Sequence, residues 1–200
     1  PWYPASCRPA NGTVVIIDEN PIKEFMVHQD LGADHYVEGN LPLSLQLLAA
    51  AIKAKGGKAI GVVADSADRD APAKVFKQAI DAFGQVDIMV NNAGGAMFIK
   101  PAEELLPEEW NAAIALNLNS VFLCSVAVSK NMIERKFGKI INISSVAGMR
   151  LSPNFVHYGA AKAAVASLTI HMASQWGPEV RVNCIAPGVI DTFRPPGGGV

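Results

Sequence analysis

Cysteine, net charge and long apolar runs are all scarce in this sequence, and each shortage excludes a class of protein. The three cysteines, Cys7, Cys124 and Cys184, lie far apart and show neither a CxxC pair nor the Cys/His spacing of a metal site. We therefore predict no metal site and expect the thiols to be small, buried apolar groups. A formal net charge of −1 over 200 residues provides no basic surface for an anionic polymer, so nucleic acid is not an expected partner.

The scarcity of long apolar runs also bears on membranes. No run approaches the roughly 18 to 20 apolar residues that cross a bilayer. The opening Pro1-Trp2-Tyr3-Pro4 lacks the charged and then apolar pattern of a signal peptide. These features predict no membrane association and a cytoplasmic location.

What the sequence does contain is an alternation of short β-branched runs with longer stretches of helical period. This alternation is typical of a parallel sheet covered by helices. The predicted strands are Thr13–Ile17, His35–Glu38, Ala59–Ala64, Ile88–Asn91, Lys139–Ile143 and Arg181–Ala186. The predicted helices are Ile22–Leu31, Leu43–Lys55, Ala71–Phe83, Pro107–Arg135 with a break near Ala115, and Tyr158–Trp176. We predict an α/β fold with a doubly wound parallel sheet, Rossmann-like and three-layered (α/β/α), as one domain over residues 1–200.

A hydroxyl, a phenol and an ammonium group occur together in the second half of the chain, at Ser145, Tyr158 and Lys162. Tyr158 and Lys162 are four residues apart, so on a helix their side chains lie on one face, about one turn apart. We expect the cation to favour the phenolate and to lower the pKa of Tyr158 from its usual value of about 10. Such a tyrosine would be an effective acid and base near neutral pH.

These three residues belong to a longer series of motifs. In chain order the motifs are Asn91-Asn92-Ala93-Gly94 after a strand, Asn117 to Phe122 inside a helix, Ser144-Ser145 at a strand end, Tyr158 to Lys162 opening a helix, and Pro187 to Thr192 after the last strand. With them, the chain from about Gly32 to Thr192 resembles the short-chain dehydrogenase/reductase family. The resemblance implies an NAD(P)-dependent oxidoreductase that interconverts a secondary alcohol and a ketone, in which the cofactor transfers a hydride and a tyrosine exchanges the proton.

Four residues would be catalytic on this resemblance. Ser145 would donate a hydrogen bond to the carbonyl oxygen where negative charge develops, and Tyr158 would be the acid for reduction and the base for oxidation. Lys162 would hold the nicotinamide ribose and depress the pKa of Tyr158. Asn117 would bend its helix and support a water chain to the lysine. Taken singly, each residue also has a structural interpretation, such as a strand-end cap or a solvated charge.

The resemblance also implies a site for NAD or NADP. The matching residues are Asp65, Asn91, Ala93 and Gly94 on the adenine side, and Tyr158, Lys162, Pro187, Gly188, Ile190 and Thr192 near the nicotinamide. The residues expected to distinguish NAD from NADP are Glu38, Gly39 and Asn40. An acid at this place favours a ribose diol, and a base favours a 2′-phosphate. Glu38 points to NAD, but a slip of one residue would change its face, so the choice stays open.

The amino-terminal segment, residues 1–31, diverges from the family. The first predicted strand should lead into a TGxxxGxG loop that binds pyrophosphate. It leads instead into Asp18-Glu19-Asn20-Pro21, which has no glycine and carries two carboxylates that repel phosphate. At the other end only Phe193 to Val200 follow the last motif, so we expect the family's substrate-covering segment to be largely absent.

These departures leave three alternatives open. The first is a catalytically silent binding or assembly module that has lost the pyrophosphate loop. The second is a ribose-binding unit similar to that of medium-chain dehydrogenases, with Asp18 on the ribose diol. The third is an extended-type epimerase or dehydratase, which also carries a YxxxK pair.

The expected substrate is a small carbonyl or alcohol compound. In the family arrangement the residues on its side would be Gly95, Ala96, Met97, Met149, Arg150, Pro153, Phe155 and His157. We interpret His157 as structural, because a sequence neighbour of Tyr158 on a helix points away from it. The helical stretches 107–135 and 158–176 carry apolar residues on several faces, and in the family they form a four-helix contact between subunits. A homodimer or homotetramer is therefore expected, with burial inside one chain as the alternative.

Overall fold

The computed structural model describes residues 41–65 and 68–190, and their side chains from Leu45 onward. These residues fall into two compact units, one with residues 41–63 and Ile190 and the other with the described residues between Ala64 and Val189. The predicted strands Thr13–Ile17 and His35–Glu38 and the predicted helix Ile22–Leu31 lie outside the described residues. The prediction of a single domain covers those segments too and stays a prediction.

The first unit contains helix α1, Leu41–Ala54, close to its predicted bounds. A Cβ placed on Gly61 would lie 2.8 Å from Cβ of the buried Leu45, so the loop after the helix can pack this closely only at a glycine. The predicted strand Ala59–Ala64 is wrong, since this segment is loop with a single bridge residue at Gly61. A strand needs a continuous ladder of backbone hydrogen bonds to a neighbour, which apolar β-branched residues alone do not provide.

The second unit is built on three parallel strands in the order β1-β2-β3. They are β1 (Ile88–Asn91), β2 (Gly138–Ile143) and β3 (Val180–Ile185), each within one residue of its predicted bounds. Asn91 pairs with Asn142, and Asn142 with Cys184. Because the strands are parallel, the segments that follow β1, β2 and β3 leave from the same edge of the sheet.

Four α-helices accompany this sheet among the residues that the structure describes. They are α2 (Ala71–Phe83), α3 (Pro107–Ile114), α4 (Ser120–Glu134) and α5 (Val156–Trp176). A π-helical turn, Ala115–Asn119, separates α3 from α4 at the place of the predicted break. Within it, the Asn117 side chain donates to the carbonyl oxygen of Ala113 (3.0 Å). The insertion of one wider turn rotates α3 against α4 and points Asn117 inward, where it is fully buried.

The continuous stretch Pro107–Glu134 corrects the expectation that no segment could span a bilayer. Its 28 residues include an 18-residue window of mean hydropathy 1.8, which is enough to cross a membrane by length and composition. Half of that window is buried within the described structure. The buried residues include Ser120, Ser125 and Met132, as in a core helix that packs against a sheet. Core packing accounts for the apolar character of the buried half of this stretch.

A buried chain of polar side chains connects the sheet to α4 and α5. Asn91 Nδ2 donates to Ser125 Oγ (2.9 Å) and to Asn142 Oδ1 (2.8 Å). Asn142 Nδ2 donates in turn to Thr169 Oγ1 (2.9 Å), which donates to the carbonyl oxygen of Val165 (2.8 Å). Since buried polar groups are costly without partners, this chain of bonds fixes two strands and two helices in one register.

Candidate active site

The end of β2 is packed directly onto α5. Ser144 Oγ donates to the carbonyl oxygen of Lys162 (2.6 Å), which joins the strand end to the second turn of the helix. The 3₁₀ turn Val146–Gly148 then runs along the helix backbone. A Cβ on Gly148 would lie 2.6 Å from the backbone nitrogen of Ala163, closer than real side chains come. Glycine at this position therefore places Ser145 beside the first turn of α5.

Ser145, Tyr158 and Lys162 come together at this contact. The Ser145 side chain lies beside the Tyr158 phenol, near enough for its hydroxyl to favour the phenolate and oppose a rise in the tyrosine pKa. Lys162 Nζ lies 5.6 Å from the centroid of the Tyr158 ring, as their spacing on one helix face predicts. The Phe155 ring packs edge-on against the tyrosine, with centroids 6.2 Å apart. The phenol thus has an apolar wall on one side and polar groups on the other.

Burial controls the ionisation of both titratable groups, and this corrects one expectation. Desolvation raises the pKa of Tyr158 above its ordinary value of 10.0, while the hydrogen bond from Ser145 opposes the rise. Burial also lowers the pKa of Lys162 to about 8, although an electrostatic interaction with Cys184 raises it in part. The expected depression of the Tyr158 pKa by the lysine is wrong in this structure. A cation that loses its proton near pH 8 cannot stabilise a phenolate that forms above pH 10.

The loop after β1 passes directly over the lysine. Lys162 Nζ donates to the carbonyl oxygen of Ile143 (2.8 Å). A Cβ on Gly94, whose φ is +146°, would lie 2.7 Å from Asn117 Oδ1 and 3.2 Å from Lys162 Nζ. Only glycine fits this conformation and this approach. The glycine of the Asn-Asn-Ala-Gly motif therefore brings the loop against two of the predicted catalytic side chains.

Asn117 holds the next residue of that loop. Its Oδ1 accepts from the backbone nitrogen of Gly95 (3.0 Å), and its Nδ2 donates to the carbonyl oxygen of the same residue (3.1 Å). The π-helical turn aims the amide at the loop, so the helix irregularity and the site are one feature. All four predicted catalytic residues thus lie in one neighbourhood.

The arrangement matches a known group of proteins. A family model described as short chain dehydrogenase matches residues 28–195. The chain belongs to the short-chain dehydrogenase family.

Individual relatives agree with the family. The 3-oxoacyl-[acyl-carrier-protein] reductase of Synechocystis sp. is 45% identical over 144 residues, which cover 72% of this chain and 58% of that protein. A gluconate 5-dehydrogenase from Burkholderia cenocepacia, solved in complex with NADP and tartrate, is 35% identical with a TM-score of 0.69, covering 73% of this chain and 57% of that one. An NAD+-bound xylitol dehydrogenase is 30% identical with a TM-score of 0.70, covering 74% and 57%.

These likenesses confirm the predicted α/β fold, a Rossmann-like doubly wound sheet in three layers. They also show that this short-chain dehydrogenase chain spans only 57–58% of the length of those relatives. Activity, substrate and partners of the whole protein are therefore matters for proposal.

The predicted cofactor residues of the short-chain dehydrogenase fall into three groups. Ala93, Gly94, Pro187 and Gly188 lie in the loops beside the site, since Val146 N donates to the carbonyl oxygen of Pro187 (3.0 Å) and a Cβ on Gly188 would meet only open space. Asn91 turns its side chain into the core, which leaves its backbone for a ligand. Asp65 is the second residue of the second unit, and Ile190 belongs to the first unit. Thr192 lies outside the described residues, as do Glu38, Gly39, Asn40 and Asp18.

A ribose-bearing cofactor fits the part of the site that is described. An ammonium group has three N–H donors. In the described part of the chain, Lys162 uses one of them, on Ile143, and the other two remain for hydroxyl groups. The glycine at position 94 keeps the space beside the ammonium free of a side chain.

The predicted substrate-side residues differ widely in exposure. Met149, Arg150 and Pro153 are exposed, Gly95, Ala96, Met97 and Phe155 are partly buried, and His157 is fully buried. From the sequence, Ser144 is named only as part of a motif and Gly148 is not named, and no role is predicted for either residue in holding the strand end against α5. Their only signal was their place beside Ser145, because the close backbone approach they allow is a property of the folded chain.

Proposed function

We propose that this chain is an NAD(P)-dependent oxidoreductase that interconverts a secondary alcohol and a ketone. One observation carries the proposal: Ser145 and Lys162 both lie beside Tyr158, the serine near enough to influence the pKa of the phenol and the lysine Nζ 5.6 Å from the ring centroid. A hydrogen-bond donor and a proton donor are then available to one substrate oxygen. When bound, NAD(P) supplies the hydride that the amino acids cannot.

Tyr158 exchanges the proton with the substrate oxygen, and Ser145 donates a hydrogen bond to it as negative charge develops. Because burial raises the pKa of Tyr158, the phenol is protonated at neutral pH. That state is the one that reduction of a ketone requires. Alcohol oxidation needs the phenolate and is favoured at high pH.

The remaining residues would hold the cofactor. Lys162 would bind the nicotinamide ribose through its two remaining donors, and Gly94 and Gly188 would let the backbone approach the ligand. Ala93, Asp65 and the backbone of Asn91 would lie on the adenine side, as the family pattern implies. The choice between NAD and NADP is open, and the relatives include a protein bound to each.

The test compares the wild type with Tyr158→Phe, which keeps the ring and removes the exchangeable proton. NADH and NADPH binding is measured by calorimetry and by quenching of tryptophan fluorescence. Turnover is measured with an acetoacetyl thioester in reduction and with gluconate and xylitol in oxidation. We expect Tyr158→Phe to bind cofactor normally and to lose at least about 10²-fold in turnover. Wild-type turnover by this variant would reject the role of Tyr158.

The competing candidate is a catalytically silent module, suggested by the glycine-free segment Asp18-Glu19-Asn20-Pro21. It predicts neither heat nor a fluorescence response at millimolar NADH or NADPH, and no turnover. That outcome would reject the enzyme proposal for this chain.

Assembly and location complete the proposal. Phe122, Val126 and Ile133 are exposed apolar residues on one stripe of α4, with 47%, 44% and 38% of their surface accessible. A second copy of the chain is the partner that such a stripe fits, so we infer a cytoplasmic homodimer or homotetramer without a membrane or nucleic-acid partner.

A further inference from the structure

His157 is a buried polar residue that the proton-transfer scheme does not use. It lies in the first turn of α5, next to Tyr158, and has no exposed surface. Its Nε2 is hydrogen-bonded to the carbonyl oxygen of Met97. Because a carbonyl oxygen only accepts, Nε2 carries a proton and is the donor of this bond.

The other ring nitrogen of His157, Nδ1, is buried and has no hydrogen-bond partner in the described residues. An unpaired buried polar atom costs free energy that an apolar side chain of similar size would not incur. Packing alone therefore does not account for an imidazole at this position. The bond to Met97 is the interaction that distinguishes it from leucine.

The accepting residue belongs to a short segment, Gly94–Phe98, which we call the clamped segment. Asn117 holds it at Gly95 by two hydrogen bonds, and His157 holds it at Met97. Its two ends have positive φ, +146° at Gly94 and +52° at Phe98. The left-handed conformation is unusual for phenylalanine and persists only where neighbouring contacts enforce it. The Phe98 ring packs against the imidazole, with centroids 6.4 Å apart.

The two clamps come from different elements. Asn117 lies on the π-helical turn, whereas His157 lies on the helix that carries Tyr158 and Lys162. The bond from His157 therefore links the clamped segment to the first turn of the catalytic helix, together with the packing of Phe98 on the imidazole. Loss of this link would let the segment shift relative to the phenol, even though Asn117 still holds it at Gly95.

We propose that His157 is a positioning residue that sets the distance between the clamped segment and Tyr158, and so the place of the substrate carbonyl. This role rests on the proposed function. The proposed role is geometric and involves no proton transfer by His157. A misplacement of about 1 Å between reacting atoms lowers the rate by as much as ~10²-fold.

The test compares His157→Leu, which keeps the bulk and removes the donor, with His157→Gln, whose amide can donate at the Nε2 position. His171→Leu and His171→Gln are matched controls, since His171 is exposed on the same helix. Amide exchange of the clamped segment is followed by mass spectrometry. The rate constant kcat, KM and cofactor Kd are measured with the best substrate of the panel above.

We expect His157→Leu to lower kcat about tenfold and to speed exchange at Gly95 about tenfold, with cofactor Kd unchanged. His157→Gln should restore both quantities to within about threefold, as expected of a hydrogen bond rather than of packing. If His157→Leu does not fold, His157→Asn, whose amide reaches only the Nδ1 position, takes its place in the comparison.

The proposal would be overturned if His157→Leu and His157→Gln had the same kcat and the same exchange rate at Gly95. It would also be overturned if His171→Leu changed these quantities as much as His157→Leu. A wild type without cofactor binding or turnover would reject the proposed function, and the positioning role with it. Normal wild-type turnover with indistinguishable His157 variants would reject the positioning role alone.

Discussion

At the scale of single residues, the site is governed more by burial than by attraction between its charges. Desolvation raises the pKa of Tyr158 and lowers that of Lys162 to about 8, so each side chain is driven toward its neutral form. The two groups do not form an ion pair at any pH between these values. The lysine is then best understood as a buried hydrogen-bond donor whose charge costs stability at neutral pH.

This cost predicts a pH dependence of stability for Lys162. Its folded pKa of about 8 lies below the ordinary lysine value of 10.5, so between these values the unfolded chain binds more protons and stability rises with pH. Lys162→Met removes the titrating group. We expect wild-type stability to rise relative to the variant by about 2.5 kcal/mol from pH 7 to pH 10.

Urea unfolding at the two pH values measures this difference. Lys130→Met, at an exposed position on α4, is the control and should show no such change relative to wild type. A wild type that loses stability relative to Lys162→Met as pH rises would show that the ammonium is stabilised, not penalised, by its surroundings.

At the scale of elements, the polar chain through Asn142 determines how the strands meet the helices. Asn142 accepts from Asn91 on β1 and donates to Thr169 on α5. Asn142→Ala would remove both bonds and leave a cavity. We expect a loss of about 2 to 3 kcal/mol in the free energy of unfolding, measured by urea denaturation.

Asn183 offers a matched comparison on the next strand. It is exposed on β3, so Asn183→Ala should change the unfolding free energy by less than about 0.5 kcal/mol. Equal losses for the two alanine variants would mean that the buried amide of Asn142 has no special part in holding the layers.

The sequence predicts the elements that carry their own signals. Helix α2 begins and ends where predicted, because its apolar period and the following Gly84 are both local. The helix break near Ala115 and the bend at Asn117 were also predicted, but their cause, the π-helical turn, is visible only in the structure. The strand at Ala59–Ala64 could not be excluded in advance, because a strand depends on a neighbour that its own residues do not specify.

In the candidate site, too, some features were predictable from local sequence and others depended on the fold. The spacing of Tyr158 and Lys162 predicts their shared face, since a helix fixes it. The direction of the Tyr158 pKa shift was not predictable, because it depends on how far the folded chain buries the phenol. The partner of His157 was equally hidden, because Met97 is sixty residues away in sequence and contributes only a backbone oxygen.

At the scale of the whole molecule, the exposed stripe of α4 predicts self-association. Phe122 and Val126 lie one turn apart and are both nearly half exposed. Phe122→Asp combined with Val126→Asp would place two carboxylates in an apolar contact. We expect the wild type to sediment as a dimer or tetramer and the double variant as a monomer.

Leu151→Asp is the control, because Leu151 is 93% exposed and is not part of α4. It should leave the sedimentation coefficient unchanged. A monomeric wild type at tens of micromolar, or an assembled double variant, would contradict the contact through α4 and favour burial within one chain.

The parallel sheet also determines when the site can exist during synthesis. Ile88 pairs with Lys139 and Gly138 with Val180, so each strand pairing must wait for roughly 40 to 50 further residues of chain. Val146 takes its backbone partner from Pro187, beyond the last strand. A nascent chain on the ribosome can therefore form α5 and the contact of Ser144 with Lys162 before β3 has been synthesised. The backbone bonds from Ser144 to Ile185 and from Val146 to Pro187, which flank Ser145, are among the last features of the fold to form.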